Sequence, residues 1–117
     1  MADITPVAPA FAGVNPAPTA ANSGGDALVN PRGNAILVVA NGGGGSINVT
    51  IAVGSGFTTR PADGTFPSQT VSNLVVAVPA GATRVIGPIP PAYNDGNGKA
   101  QISYSGVTSV TVWGLQP

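Results

Sequence analysis

The chain has 117 residues and a formal net charge of zero, with four Asp, no Glu, four Lys plus Arg, no His and no Cys, against 17 Gly and 12 Pro. The missing residue types exclude a disulfide framework, thiolate metal sites and any nucleophile that needs a His base. Four scattered cations, Arg32, Arg60, Arg84 and Lys99, make no basic face of the kind that displaces counterions from nucleic acid.

The length is that of one domain. A hydrophobic fraction of 43% supplies enough apolar material for a core. The abundance of Gly and Pro approaches the range of low-complexity chains. From residue 33 onward, however, the chain is rich in Val, Ile and Thr, which suit a pleated, half-buried surface. The Gly and Pro are therefore read as turns between short strands. No secretory signal is visible at the start, and no apolar run approaches the roughly 20 residues of a spanning helix. The chain is expected to be made in the cytoplasm, with neither membrane nor nucleic acid as partner.

Residues 1–26 carry closely spaced Pro with Ala, Val and Phe between them. Pro blocks helix and extends the residue before it, so this segment is expected to be an extended N-terminal arm. Its apolar side chains Ile4, Val7, Phe11 and Val14 favour docking on a neighbour over a solvated tail. Residues 27–117 form the body.

Residues 35–40 (AILVVA) read as a strand covered on both faces. Residues 46–53 alternate, with Ile47, Val49, Ile51 and Val53 on one side, which is a strand with one buried face. The glycine run at 42–45 between them predicts a hairpin. Residues 54–73 are a long polar excursion holding Phe57 and Phe66. Leu74–Val78 is a further strand, and Pro79-Ala80-Gly81 fits a type I turn with Pro second and Gly fourth. Thr83–Ile86 resumes a strand. The Pro-rich residues 87–91 cannot pair in a ladder. Residues 94–98 (NDGNG) are a turn, and residues 100–105 and 107–113 form the last pair, joined at Ser105-Gly106. The expected fold class is all-β: a single jelly-roll-like β-sandwich of six to eight short antiparallel strands.

Candidate chemistry is sparse. Asp3, Asp26, Asp63 and Asp95 sit in turns or in the arm and read as turn and cap residues. The NDGNGK stretch lacks the acidic positions and distal Glu of a calcium loop. The run at 42–45 lacks the Lys and the helix of a phosphate loop. No catalytic, metal or cofactor-binding residue is assigned, and the chain is expected not to be an enzyme. Tyr104 alternates with Ile102 and reads as core. Trp113 alternates with Thr111 and Ser109, opposite Val110 and Val112, and so lies on the polar face, where an aromatic suits an interface.

The second half resembles a family of small tailed-bacteriophage head proteins. The resemblance rests on VPAGA at 78–82, Arg84, IGP at 86–88, Pro90 and Pro91, YND at 93–95, Asn97, Gly98, Gln101, Tyr104 and Ser105, with TPV at 5–7 and GGD at 24–26 fitting more loosely. Residues 54–73 are this chain's own. The resemblance implies a capsid cement (decoration) protein, a homotrimer bound to the major capsid protein on the outer surface of the virion. A low-charge surface suits burial between neighbours. The residues assigned to capsid or inter-subunit contact are Ile4, Pro6, Val7, Phe11, Arg32, Arg84 and Trp113. The rival reading is a carbohydrate- or host-surface-binding module on a virion or fibre, using Trp113, Tyr93 and the 54–73 loop.

Overall fold

The alternating stretch around residue 49 is a strand with its apolar residues inward, and it leads into a chain built almost wholly of short strands. The computed structural model describes residues 2–10, 12–15, 18–54, 59–60, 69–70 and 72–116. Within these, the strands are β1 (Ala2–Ile4), β2 (Thr19–Ala20), β3 (Asp26–Val29), β4 (Ile36–Asn41), β5 (Ile47–Ile51), β6 (Thr59–Arg60), β7 (Gln69–Thr70), β8 (Leu74–Val78), β9 (Thr83–Ile86), β10 (Lys99–Tyr104) and β11 (Val110–Leu115), with one 3-10 turn at Pro91–Tyr93. One sheet has the order β1-β3-β10-β5-β8, a second the order β2-β11-β4-β9, and β6 pairs with β7.

The inward residues of both sheets meet in one core. Leu28, Val49, Ile51, Val78, Ala100 and Ile102 come from the five-stranded sheet, and Leu37, Val39, Ile86, Val110 and Val112 from the four-stranded one. Period two along each strand places these residues on one face. In β5 the result is plain: Ile47, Val49 and Ile51 are buried and Asn48 is exposed.

Two expected pairings are corrected. β4 and β5 do not form a hairpin, nor do β10 and β11; in each case the two strands lie in different sheets, as do β8 and β9 on either side of the 79–82 turn. The physical reason is burial. Each strand has one apolar face, and a chain that steps from sheet to sheet sets these faces against each other. Buried Asn side chains hold the steps. At the end of β4, Asn41 donates through Nδ2 to the carbonyls of Gly45 at 2.8 Å and Val78 at 3.0 Å, and its Oδ1 accepts from the Gly43 N–H at 3.0 Å. The glycine loop then runs so close to the 107–109 turn that a Cβ at Gly43 would sit 2.7 Å from the Thr108 carbonyl oxygen. At the opposite end Asn30 donates to the carbonyl of Ile89 and to Asn94 Oδ1, both at 2.9 Å, and accepts from the Ala35 N–H at 2.9 Å.

The turn at 79–82 is shifted by one residue from expectation. The Ala82 N–H donates to the Pro79 carbonyl at 3.0 Å, and Gly81 takes φ +74°. Pro79 is therefore first, and Gly81 occupies the third position, where a positive φ belongs to a type II turn. The expectation of antiparallel pairing throughout also fails in the N-terminal segment: β1 runs parallel to β3, and Val7 bridges Leu115 in parallel.

Residues 1–26 were expected to stand apart as an arm. In the structure β1 adds to one sheet, β2 to the other, and Val7 bridges to Leu115 between them. Ile4 is buried in the chain's own core, because its apolar side chain there escapes water with no partner needed. Between these anchors Ala8, Pro9, Ala10, Ala12 and Val14 are exposed.

Candidate interaction surface

The polar side chains with chemical potential are used inside the molecule. Asp26 is 1% exposed. Its Oδ2 accepts from the Tyr104 hydroxyl at 2.7 Å and from the Asn22 N–H at 3.2 Å, and its Oδ1 from the Ala2 N–H at 3.3 Å. A buried carboxylate needs such donors. Burial first, and then the bond to Asp26, push the Tyr104 phenol above its ordinary range. Asp95 holds the 94–98 turn. Its Oδ1 accepts from the backbone N–H groups of Asn97 and Lys99, and its Oδ2 from Gln101 Nε2 at 2.7 Å. The Asn97 amide and then the Gln101 side chain hold the Asp95 carboxyl below its usual value. Asp3 pairs with Lys99 at 2.9 Å, and that bond raises the Lys99 ammonium above its usual value. Among the described residues no three acidic side chains converge as a metal group would require.

The residues assigned to contact fall into separate places. Ile4, Pro6 and Val7 seal the edge between the two sheets. Pro6 lies against Gly114, where a Cβ would meet the Pro6 Cα at 3.2 Å, and Val7 donates its N–H to the Gly114 carbonyl at 2.9 Å. Phe11 lies outside the described residues, as do Phe57, Phe66 and most of the 54–73 excursion. Arg32 is exposed in the loop after β3, and Arg84 is exposed on β9. Neither forms an ion pair with an acid among the described residues. The structure does not bring these two arginines together with Ile4, Pro6 and Val7 as one patch.

Trp113 lies on the outer face of the four-stranded sheet, whereas Arg84 stands opposite Val39 and so on the row that faces the other way. Cross-strand neighbours share a face. Trp113 stands opposite Val38, and Val38 opposite Val85. The rows on either side are Leu115 with Ile36, and Thr111 with Ala40 and Thr83. The outer face of the four-stranded sheet is therefore apolar and free of charge from β11 to β9. Val85, at its rim, is 67% exposed, while Val38 between its neighbours is 4% exposed. Sequence alternation found Trp113 on this face. It missed Ile36, Val38 and Val85, because an apolar run on a central strand does not tell which of its faces is the outer one.

A polar cleft of about 220 Å³ opens between the glycine loop and the 105–108 turn, lined by Asn41, Ser46, Ser105 and Thr108 among others. Tyr93 packs against the core, and its hydroxyl donates to the Ser72 carbonyl at 3.2 Å. Among the described residues no helix is long and apolar enough to cross a membrane. None of the family models, curated protein sequences or solved structures compared with this chain matches it.

Proposed function

We propose that this chain is a structural, non-catalytic virion protein: a capsid cement protein that binds the outer surface of the major capsid shell as a trimer and stabilises it. The observation that carries this reading is the outer face of the four-stranded sheet. A face holding Trp113, Val38, Val85, Ile36 and Leu115 without a charge is suited to being covered by another protein. The consumption of Asp3, Asp26 and Asp95 in internal bonds fits a role without acid–base chemistry. The resemblance across residues 78–105 points the same way.

We also propose the finer fold, a jelly-roll-like sandwich. Counting from β3 to β10 as eight successive strands, the five-stranded sheet holds the first, eighth, third and sixth in that order, and the second holds the second beside the seventh. The fourth and fifth, β6 and β7, pair with each other. This order supports a reading as two interlocked Greek keys, an architecture that viral capsid and lectin domains share.

The test is add-back of purified protein to phage heads lacking it, with bound copies counted per head. Saturation at the number of local three-fold sites, with heads more resistant to heat, is the expected result. Absence of saturable binding rejects the reading and moves glycan binding through Trp113 to first place. That rival is then checked by loss of binding to glycans in Trp113→Ala.

A further inference from the structure

We infer that Asn97 is a site of spontaneous covalent modification: its side-chain amide is lost to the backbone nitrogen of Gly98, which leaves the 94–98 turn more acidic and, in one product, lengthened. The inference does not rest on the cement reading.

The chain has two Asn-Gly steps, Asn41-Gly42 and Asn97-Gly98. Gly is the successor that favours the reaction, since without a Cβ its nitrogen can approach the preceding side chain. The structure separates the two steps. Asn41 is 2% exposed. Its amide is held by the carbonyls of Gly45 and Val78 and by the Gly43 N–H, and the Gly42 N–H is committed to the Ser109 carbonyl at 2.8 Å. Asn97 is exposed, and among the described residues its side chain bonds to nothing; its backbone N–H alone is used, toward Asp95 Oδ1 at 2.8 Å. The Gly98 N–H reaches the Asp95 carbonyl only at 3.3 Å, beyond the usual range of an N–H···O bond. The neighbouring Asp95-Gly96 step is closed, because the Asp95 carboxylate accepts from Asn97, Lys99 and Gln101. Among the described residues, Asn97-Gly98 is therefore the step whose side-chain carbon is unshielded and whose backbone nitrogen is least held.

The Gly98 nitrogen, after losing its proton to base in the solvent, attacks Asn97 Cγ. The Cγ–Nδ2 bond breaks and ammonia leaves, giving a cyclic imide. Water then opens the ring at either carbonyl. One opening leaves aspartate at position 97; the other leaves isoaspartate, in which the main chain runs through the former side chain. Nothing is oxidised or reduced. Either product puts a carboxylate beside that of Asp95 and takes the chain one unit below its formal zero charge. Isoaspartate also adds a methylene to the backbone before Gly98, whose carbonyl accepts from the Asn30 N–H at 2.9 Å, just beyond β3. That tie between the end of β3 and the start of β10 is the one the change loosens.

The experiment holds the full-length protein in mildly alkaline buffer, folded and in urea, separates acidic species by ion exchange and maps them by peptide mass spectrometry. In the folded protein Asn97 is expected to convert at least about tenfold faster than Asn41, whose reaction waits on local opening. In urea the two rates are expected to converge. Asn97→Gln, whose longer side chain closes a less favourable ring, is expected to abolish the main acidic species. Amide exchange at the Asn30 N–H is expected to rise in the isolated isoaspartate form and to stay unchanged in Asn97→Asp, which carries the charge on an ordinary backbone. Conversion of the folded protein mainly at Asn41 or another Asn, or no conversion at all, overturns the inference. The same ratio of rates in urea also overturns it, since the fold would then not be the selector. Unchanged exchange at Asn30 in the isoaspartate form overturns the loosening of the β3–β10 tie.

Discussion

Two outer faces built on the same two-residue period meet water in opposite ways. Across the five-stranded sheet the outward rows carry Asp3 with Gln101, Lys99 with Val29, Ser103 with Thr50 and Val75, and Asn48 with Ala77. Its charges are closed on themselves through Lys99–Asp3 and Gln101–Asp95. Across the four-stranded sheet the rows carry Leu115, Ile36, Trp113, Val38, Val85 and Ala40, with only Thr hydroxyls for polarity. The first face is mostly polar, with Val75 exposed among its polar neighbours. The second leaves apolar area hydrated, at about 25 cal/mol for each Å² that a partner could remove. The lesson is where to look for a partner: at the face whose groups are unsatisfied by the chain itself.

The sharpest way to break this comparison is to set the inner and outer residues of one strand pair against each other. Leu37→Ala, from the core side of β4, is expected to cost about 2–5 kcal/mol in urea unfolding. Val85→Lys, on the outer side of β9, is expected to change stability by no more than about 0.5 kcal/mol. An equal loss in both would mean that Val85 is already covered by its own chain.

A smaller effect is expected at the crossover itself. Asn41→Ala leaves the carbonyls of Gly45 and Val78 and the Gly43 N–H without their partner. Unpaired buried groups of this kind cost about 1–3 kcal/mol, and amide exchange in the 42–46 loop should rise with the loss. No change in exchange would show that the two sheets are joined there by packing alone.

The polar end of the core is sharpened by alkali. The Tyr104 phenol is raised above its ordinary 10.0, so its contribution is fully present below that pH and is lost as pH rises through the higher folded value. Lys99, also raised, from 10.5, acts in the same direction as pH rises through its own folded value. Tyr104→Phe should flatten part of the stability decline above pH 10 and weaken the protein at pH 7 by about 1–3 kcal/mol, the cost of leaving a buried polar group without its partner. A decline of unchanged slope would remove Tyr104 as its source.

The smallest effect is on the polar face. The Asp95 carboxyl is held below its ordinary 3.8. Its contribution is therefore present above that pH and is lost as pH falls through the lower folded value. Asp95→Asn should remove this acid limb from the melting curve and lower the neutral-pH melting point by the same small amount. An acid limb that persists would place its source at another carboxylate.

Much of the strand inventory was legible, because period two and apolar runs report which residues seek burial. Ile47, Val49 and Ile51 are buried as their alternation requires. Trp113 shares a face with Thr111 as read, but the face is apolar where a polar one was expected. Pairing was not legible. A glycine run after β4 and a Pro-Ala-Gly turn after β8 serve a hairpin or a step between sheets equally well, and only the partner strands distinguish them. Asp26 was read as a turn residue because Gly24 and Gly25 precede it. Its burial depends on Tyr104, 78 residues away, which no local pattern reports. Ile4 was read as a contact residue because it is apolar in a Pro-rich segment; the same apolarity takes it into its own core.

The sequence by itself determined a neutral, all-β chain, the inward set of residues on most strands, and the lack of His and Cys chemistry. These follow from residue type and local period. The tertiary structure decided which sheet each strand joined, and so which outward residues became neighbours. Trp113, Val38 and Val85 form one row only because β11, β4 and β9 pair across long stretches of chain. An apolar face of that kind is a property of strand order, and strand order is set by burying both sheets' inner faces together.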